Sequence, residues 1–286
     1  VATVRQVAQA ILDEYLPGRA DALEPWRRAV AELATVPPCS KQLGRMIEIA
    51  ITLDLAGSVP YREALDYLPA VDRSRLLSAF GFDGEDDVSD QRQVRVNEQQ
   101  TENLRRDALT MIFAVDLAQQ IHDGTPARTP EERAAYEFTP VAPPPPVLDR
   151  LCAAWDIYTR AGRYQLRRLG PVGGVQVALA DGGLRADLIL GRTVVDIKAL
   201  SSAADGLEYA FDQLLGYALS DNHDADAIAR IGMYLAWHGV VLTLDIDEII
   251  RLSGGITVDD LRRRFMDQSA DARAELARLN VRRHQR

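Results

Sequence analysis

Cysteine and lysine are the scarcest chemistry in this chain of 286 residues: Cys39 and Cys152, Lys41 and Lys198 are the whole supply. The two cysteines form no CxxC pair and fall short of the four thiolates of a structural zinc or an iron–sulfur site, so each is expected to be a small buried apolar residue. His122, His223, His238 and His284 show no ligand spacing of the HxxxH kind. A transition-metal site of His and Cys is therefore not expected, while a hard-cation site of carboxylates stays open. No run of about 18 apolar residues occurs, and no charged-then-apolar leader precedes a small-residue cleavage site. The expectation is a cytoplasmic protein with no membrane contact. Its Ala-rich and Arg-rich usage suits a bacterial chain from a GC-rich genome.

Apolar residues make up 47% and charged residues 26%, an ordinary globular composition with ample surface for a core. The formal net charge of −9 argues against a protein that coats nucleic acid through bulk charge, though not against a local groove. The acidity lies toward the start: residues 1–134 carry 22 acidic and 15 basic side chains, against 20 and 18 in residues 135–286. The cluster Asp83, Glu85, Asp86, Asp87 and Asp90 lacks the glycine and closing glutamate of a calcium loop and is expected to be solvated.

Four consecutive prolines at 143–146 predict an extended linker over 140–146. Before it, apolar periodicity predicts helices over 4–16, 23–33, 40–55 with Ser40 as N-cap, 61–67 and 97–122, an all-α domain spanning 1–139. After it comes a helix over 147–169, and then the pattern alternates. Strands are predicted over 173–180, 184–190 and 193–199, a helix over 207–220, strands over 228–236 and 240–245, and helices near 247–252 and 258–279. The α/β core is thus expected over 147–255, with 256–286 as a helical extension ending in a basic tail.

The chemistry concentrates in the second and third of these strands. If Gly191-Arg192 is a two-residue loop with Gly first, as a type II′ turn prefers, Leu190 pairs with Thr193 and Asp187 falls opposite Asp196. Opposed residues of an antiparallel pair share a face, with Cβ atoms roughly 4.5–5.5 Å apart. Period-2 alternation puts Lys198 on that face, about 7 Å along the strand from Asp196. The other face collects Leu184, Ala186, Leu188, Leu190, Val195, Ile197 and Ala199, a core-facing set. Facing carboxylates repel unless something lies between them, and a divalent cation would remove that cost. Asp187 and Asp196 with the Ile197 carbonyl would suffice for Mg²⁺ or Mn²⁺, which keeps most of its waters. Such a site suits metal-assisted hydrolysis of a phosphodiester, with the Lys198 ammonium positioning the water or balancing developing charge. A bare DxK triplet also reads as two exposed strand residues forming a surface ion pair. The opposed aspartate and the scarcity of lysine favour the site.

With Asp187, Asp196 and Lys198 in this order the chain resembles the PD-(D/E)XK nuclease superfamily, of restriction-endonuclease-like fold. Gln213-Leu-Leu-Gly-Tyr217, on the following helix, is similar to the QxxxY motif of its RecB-type branch. Ala186 stands where the motif name has proline, the iron–sulfur cysteines of some RecB-type members are missing, and no phosphate-binding Gly-rich loop marks a fused helicase. The resemblance covers about 147–250 and implies a mixed sheet flanked by helices. It also implies a DNA-cleaving hydrolase in which Asp187 and Asp196 bind metal, Lys198 assists the attacking water, and Gln213 and Tyr217 contact the strand or support the site. Asp149 and Asp156 are candidates for an upstream acid by position. Arg160, Arg163 and Arg167 recur at helical spacing with Arg168 beside them, as phosphate contacts or as a solvated face. Trp155 and Trp237 are expected to pack in the core. A binding module without catalysis and an RNase with the same site are the rival readings. The acidic N-terminal domain is expected to serve a protein partner, autoinhibition or homo-oligomerisation, because its charge repels phosphates.

Overall fold

The computed structural model describes residues 4–56, 62–79, 102–123, 129, 132, 141–179, 184–202, 204, 206–221, 228–254, 256–268 and 270. In chain order the elements are α1 (Val4–Tyr15), α2 (Arg19–Ala22), α3 (Glu24–Ala31), α4 (Lys41–Ala56), α5 (Arg62–Leu65), α6 (Ala70–Ala79), α7 (Glu102–Asp123) and α8 (Pro145–Ile157). A π turn (Tyr158–Gly162) then leads into α9 (Arg163–Arg167), β1 (Val172–Leu179), β2 (Leu184–Leu190), β3 (Thr193–Lys198), α10 (Leu207–Leu219), β4 (Arg230–Leu235), β5 (Val240–Asp245) and α11 (Ile246–Ser253). A further helix, α12, occupies 258–268. The acidic cluster at 83–90 and the basic tail from Arg278 onward lie outside the described residues. Among the described residues no helix is long and apolar enough to cross a membrane.

Two compact units result, but they do not part at the prolines. One comprises Val1–Pro37 with Gln165–Arg286, the other Pro38–Tyr164. The proline run lies inside the second unit, and its last two members open α8 instead of extending a linker. Proline tolerates the first helical turn because its missing N–H would have no intrahelical partner there.

Helices are the regular elements among the described residues of the second unit. The Ser40 hydroxyl accepts the Leu43 N–H at 3.1 Å and caps α4, as its position predicts. Asp116, fully buried, is neutralised by Arg45 at 2.7 Å and accepts from Gln42 at 3.1 Å and Gln120 at 2.7 Å. The helix α6 is absent from the expected elements; its apolar residues lack a clear stripe. Cys39 and Cys152 are half-buried, not core residues as expected.

The first unit holds an α/β fold. Its five-stranded sheet runs β1-β2-β3-β4-β5, with β3 parallel to β4 and the other neighbours antiparallel. A parallel pair requires a crossover, and α10 makes it, so one face of the sheet is roofed by that helix. Ile189, Val194, Ile231, Met233 and Leu242 pack there with Leu207, Phe211, Leu214 and Leu215 of α10.

A helix buried along most of its length needs a second cover. Residues of α1 to α3 supply it: Ile11, Leu12, Leu16, Trp26 and Val30 join the same core. Trp26 meets Phe211 edge-on at 5.9 Å, and a Cβ on Gly216 would stand 3.3 Å from Ala8 Cβ, so α1 and α10 pack closely. Arg19 forks onto Asp212 through Nε at 2.8 Å and Nη2 at 3.0 Å. The segment beyond α3 continues this cover, with the Val36 N–H donating to Ser201 O at 2.9 Å and His238 Nε2 lying 2.8 Å from Ala34 O. The expected N-terminal domain of 1–139 therefore loses its first 37 residues to the α/β unit.

Candidate active site

The turn between β2 and β3 behaves as its sequence predicts. Gly191 has φ +56 while Arg192 is not in the positive range, the sign pattern of a type II′ turn. A Cβ at Gly191 would lie 2.6 Å from Leu169 O, so glycine is required twice over. Leu190 pairs with Thr193, Ile189 with Val194 and Leu188 with Val195. The next step outward brings Asp187 to Asp196. Here the ladder gives way to the side chain, and Asp187 Oδ2 accepts the Ile197 N–H at 2.7 Å.

Asp196 is buried, with 3% of its surface exposed. Lys198 Nζ lies 2.7 Å from its Oδ2, yet out of line for a hydrogen bond, so that sealed oxygen has a charged neighbour and no aligned donor. Burial raises the Asp196 pKa above the ordinary carboxylate range, against the opposing pull of Lys198 and of a hydrogen bond with Asp187. Desolvation pulls the Lys198 pKa down, but the neighbouring charges of Asp196 and Asp187 outweigh it and raise it.

From α10, Gln213 Oε1 accepts from Lys198 Nζ at 3.2 Å, and Gln213 Nε2 donates to the Tyr217 hydroxyl. Burial, with the charge of Asp196, pushes the Tyr217 phenol upward. One continuous chain of contacts thus links Ile197, Asp187, Asp196, Lys198, Gln213 and Tyr217. It lies near the carboxyl end of β3, beside parallel β4, where Asp196 pairs with Met233 and Lys198 with Leu235. Crevices at the carboxyl ends of parallel strands are where α/β folds place their ligands.

The alternative of a surface ion pair does not hold for Asp196. The bare-triplet reading would leave Asp196 an exposed strand residue, but residues Thr193 through Ile197 are all buried. The crossover helix is the reason: it covers the carboxylate face while delivering Gln213 and Tyr217 to it.

The donor set is oxygen throughout, which matches a hard cation. Among the described residues no group of three or more His, Cys, Asp or Glu side chains is placed to hold a metal ion. Two carboxylates remain within the needs of Mg²⁺ or Mn²⁺, which accept one or two and fill the rest with water. The poorly satisfied Asp196 oxygen is the atom such a cation would satisfy.

The remaining expected residues lie elsewhere. Arg163 forks onto Asp54 at 2.8 and 2.9 Å, packs over Trp155 and Tyr158, and is engaged within the helical unit instead of facing solvent. Arg160 is 79% exposed with Asp156 at 3.6 Å, and Arg167 is exposed. Asp149 pairs with Arg106 at 2.9 Å. Trp155 is buried as expected and Trp237 only partly so.

Two residues near the site were not anticipated. Gln176 of β1 falls between the Val175–Leu188 and Val177–Ala186 pairs, level with Asp187 in the register, and has φ +49. Positive φ at a non-glycine strand residue carries no sequence signal. Tyr209 stands four residues before Gln213, and continuing the QxxxY spacing backward finds it.

No protein-family model, curated protein or solved structure matches the chain.

Proposed function

We propose that the α/β unit is a restriction-endonuclease-like, divalent-metal-dependent nuclease that hydrolyses DNA phosphodiester bonds. The observation that carries this reading is the convergence of Asp187, Asp196, Lys198 and Gln213 at the carboxyl end of β3, within an antiparallel β1-β2-β3 run followed by helix α10 and parallel β4. Asp187 and Asp196, with the Ile197 carbonyl, are the residues that would hold Mg²⁺ or Mn²⁺. Such a cation, when bound, supplies Lewis-acid polarisation of the phosphoryl group and acidifies water.

The side chains account for the rest. Asp187 is held by the Ile197 amide, which orients it toward Asp196. Asp196 and Gln213 occupy two sides of the Lys198 ammonium, and its remaining N–H is available to the attacking water or to a phosphoryl oxygen as negative charge develops. Burial strengthens each of these interactions by keeping bulk water away. Gln213 and Tyr217 fix the ammonium from the helix side. The helical unit, with 20 acidic and 14 basic side chains, suits a protein partner better than DNA.

The test is cleavage of linear, circular and single-stranded DNA by the purified chain in Mg²⁺, Mn²⁺ or EDTA, beside Asp196→Ala and Lys198→Ala. Cleavage that requires the cation and disappears in both variants supports the reading. Equal cleavage by wild type and both variants assigns the activity to a contaminant and overturns it.

A further inference from the structure

The α10 face that carries Gln213 and Tyr217 continues one turn toward the helix start, to Tyr209, because positions four apart share a face. The two tyrosines differ in exposure: Tyr217 is 5% exposed and Tyr209 48%. Tyr209 is also close enough to Lys198 and Tyr217 to raise the proton affinity of both. It borders an open cavity of about 530 Å³ whose walls include Val30, Ala204 and Leu207, with Arg27 and Glu208 joined in an ion pair at 2.5 Å. That volume is in the range of small-ligand sites. An exposed tyrosine by itself is ordinary. An aromatic face, aliphatic walls and a guanidinium meeting in one cavity, one helical turn from a phosphodiester-hydrolysing site, match a planar ring that carries an anionic group.

We propose that Tyr209 and this cavity receive an unstacked nucleobase of the DNA strand beside the scissile phosphate, so that the substrate class is single-stranded DNA or a frayed end in preference to intact duplex. The proposal rests on the nuclease reading of Asp187, Asp196 and Lys198. In duplex DNA both faces of each base are already covered by its neighbours. Only a base released from the stack can lie against the Tyr209 ring, and unpairing one inside a duplex costs free energy that a single strand does not lose. Val30, Ala204 and Leu207 then shield the base from water, while Arg27 lies close enough to exchange its exposed partner Glu208 for a phosphate.

The experiment uses the full chain with Tyr209→Ala and Tyr209→Phe. Cleavage of a fluorescent single-stranded oligonucleotide and of its duplex is followed in Mn²⁺, and quenching of a 2-aminopurine base in the same single strand is followed without added metal. Tyr209→Ala is expected to raise KM for the single strand about tenfold with kcat changed by less than about twofold, and to lose the quenching. Tyr209→Phe, which keeps the ring, retains both. Wild-type KM and quenching in Tyr209→Ala overturn the proposal. Absence of cleavage by the wild type under every cation overturns the nuclease reading instead, and the quenching measurement still decides whether a base contacts Tyr209.

Discussion

Lys198 Nζ donates to Gln213 Oε1 at 3.2 Å, joining the carboxylate strand β3 to the helix that crosses over it. The contact places the ammonium between a buried acid on its own strand and a neutral amide on α10. Gln213→Ala removes the acceptor for Lys198 and the donor for Tyr217 together. Loss of such supporting contacts is expected to lower kcat for DNA cleavage by about 10–100-fold while the fold persists. Single-turnover cleavage beside circular dichroism checks this; an unchanged rate would detach Gln213 from the site.

The hairpin turn is a stability position with no direct part in chemistry. Gly191→Ala places a Cβ 2.6 Å from Leu169 O, at a φ of +56. The cost is expected to be about 2 kcal/mol, read as a lower urea midpoint at unchanged slope.

Arg19 tests whether the N-terminal helices belong to the α/β unit. Its fork onto Asp212 is partly buried, and its Nη1 also donates to Leu12 O at 2.9 Å. Arg19→Ala leaves Asp212 without that partner and should cost about 2 kcal/mol. Arg19→Lys recovers part of this, since an ammonium cannot form the fork. A thermal midpoint equal to wild type in both variants would contradict the packing of α1 and α2 on α10.

Alkaline stability follows from buried phenols. Burial is the main cause that pushes the Tyr158 pKa well above its ordinary value, with the charge of Asp54 next, and burial alone raises Tyr234. The folded state therefore holds these protons more tightly than the unfolded chain, whose tyrosines ionise near pH 10. Their contribution is fully present below that pH and is lost as pH rises toward the folded values. Tyr158→Phe should flatten this loss, measured as urea midpoints from pH 9 upward.

The local chemistry of the hairpin was readable in sequence because its determinants are local. A glycine-first loop and strict alternation assign Asp187, Asp196 and Lys198 to one face without knowledge of any distant contact. Gln213 and Tyr217 were readable through the resemblance of Gln213-Leu-Leu-Gly-Tyr217 to the QxxxY motif, with helical spacing adding that both share one face. What escaped depends on partners far along the chain. Arg163 looks like a phosphate-binding arginine until Asp54 is brought to it, and no pattern around residue 163 announces that acid. The affiliation of residues 1–37 with the α/β unit depends on α10 needing a second apolar cover, which becomes apparent once its first face is seated on the sheet. The burial of Asp196 follows from the same helix, since alternation along β3 specifies a face but not what lies above it.

The most direct measurement is Mn²⁺ binding followed by electron paramagnetic resonance on the full chain, beside Asp187→Asn and Asp196→Asn, with circular dichroism confirming that each variant folds. Saturable Mn²⁺ uptake by the wild type that is abolished or strongly weakened in both variants is the predicted result. Uptake that is identical in all three proteins, or absent from the wild type, would contradict a divalent-cation site between Asp187 and Asp196.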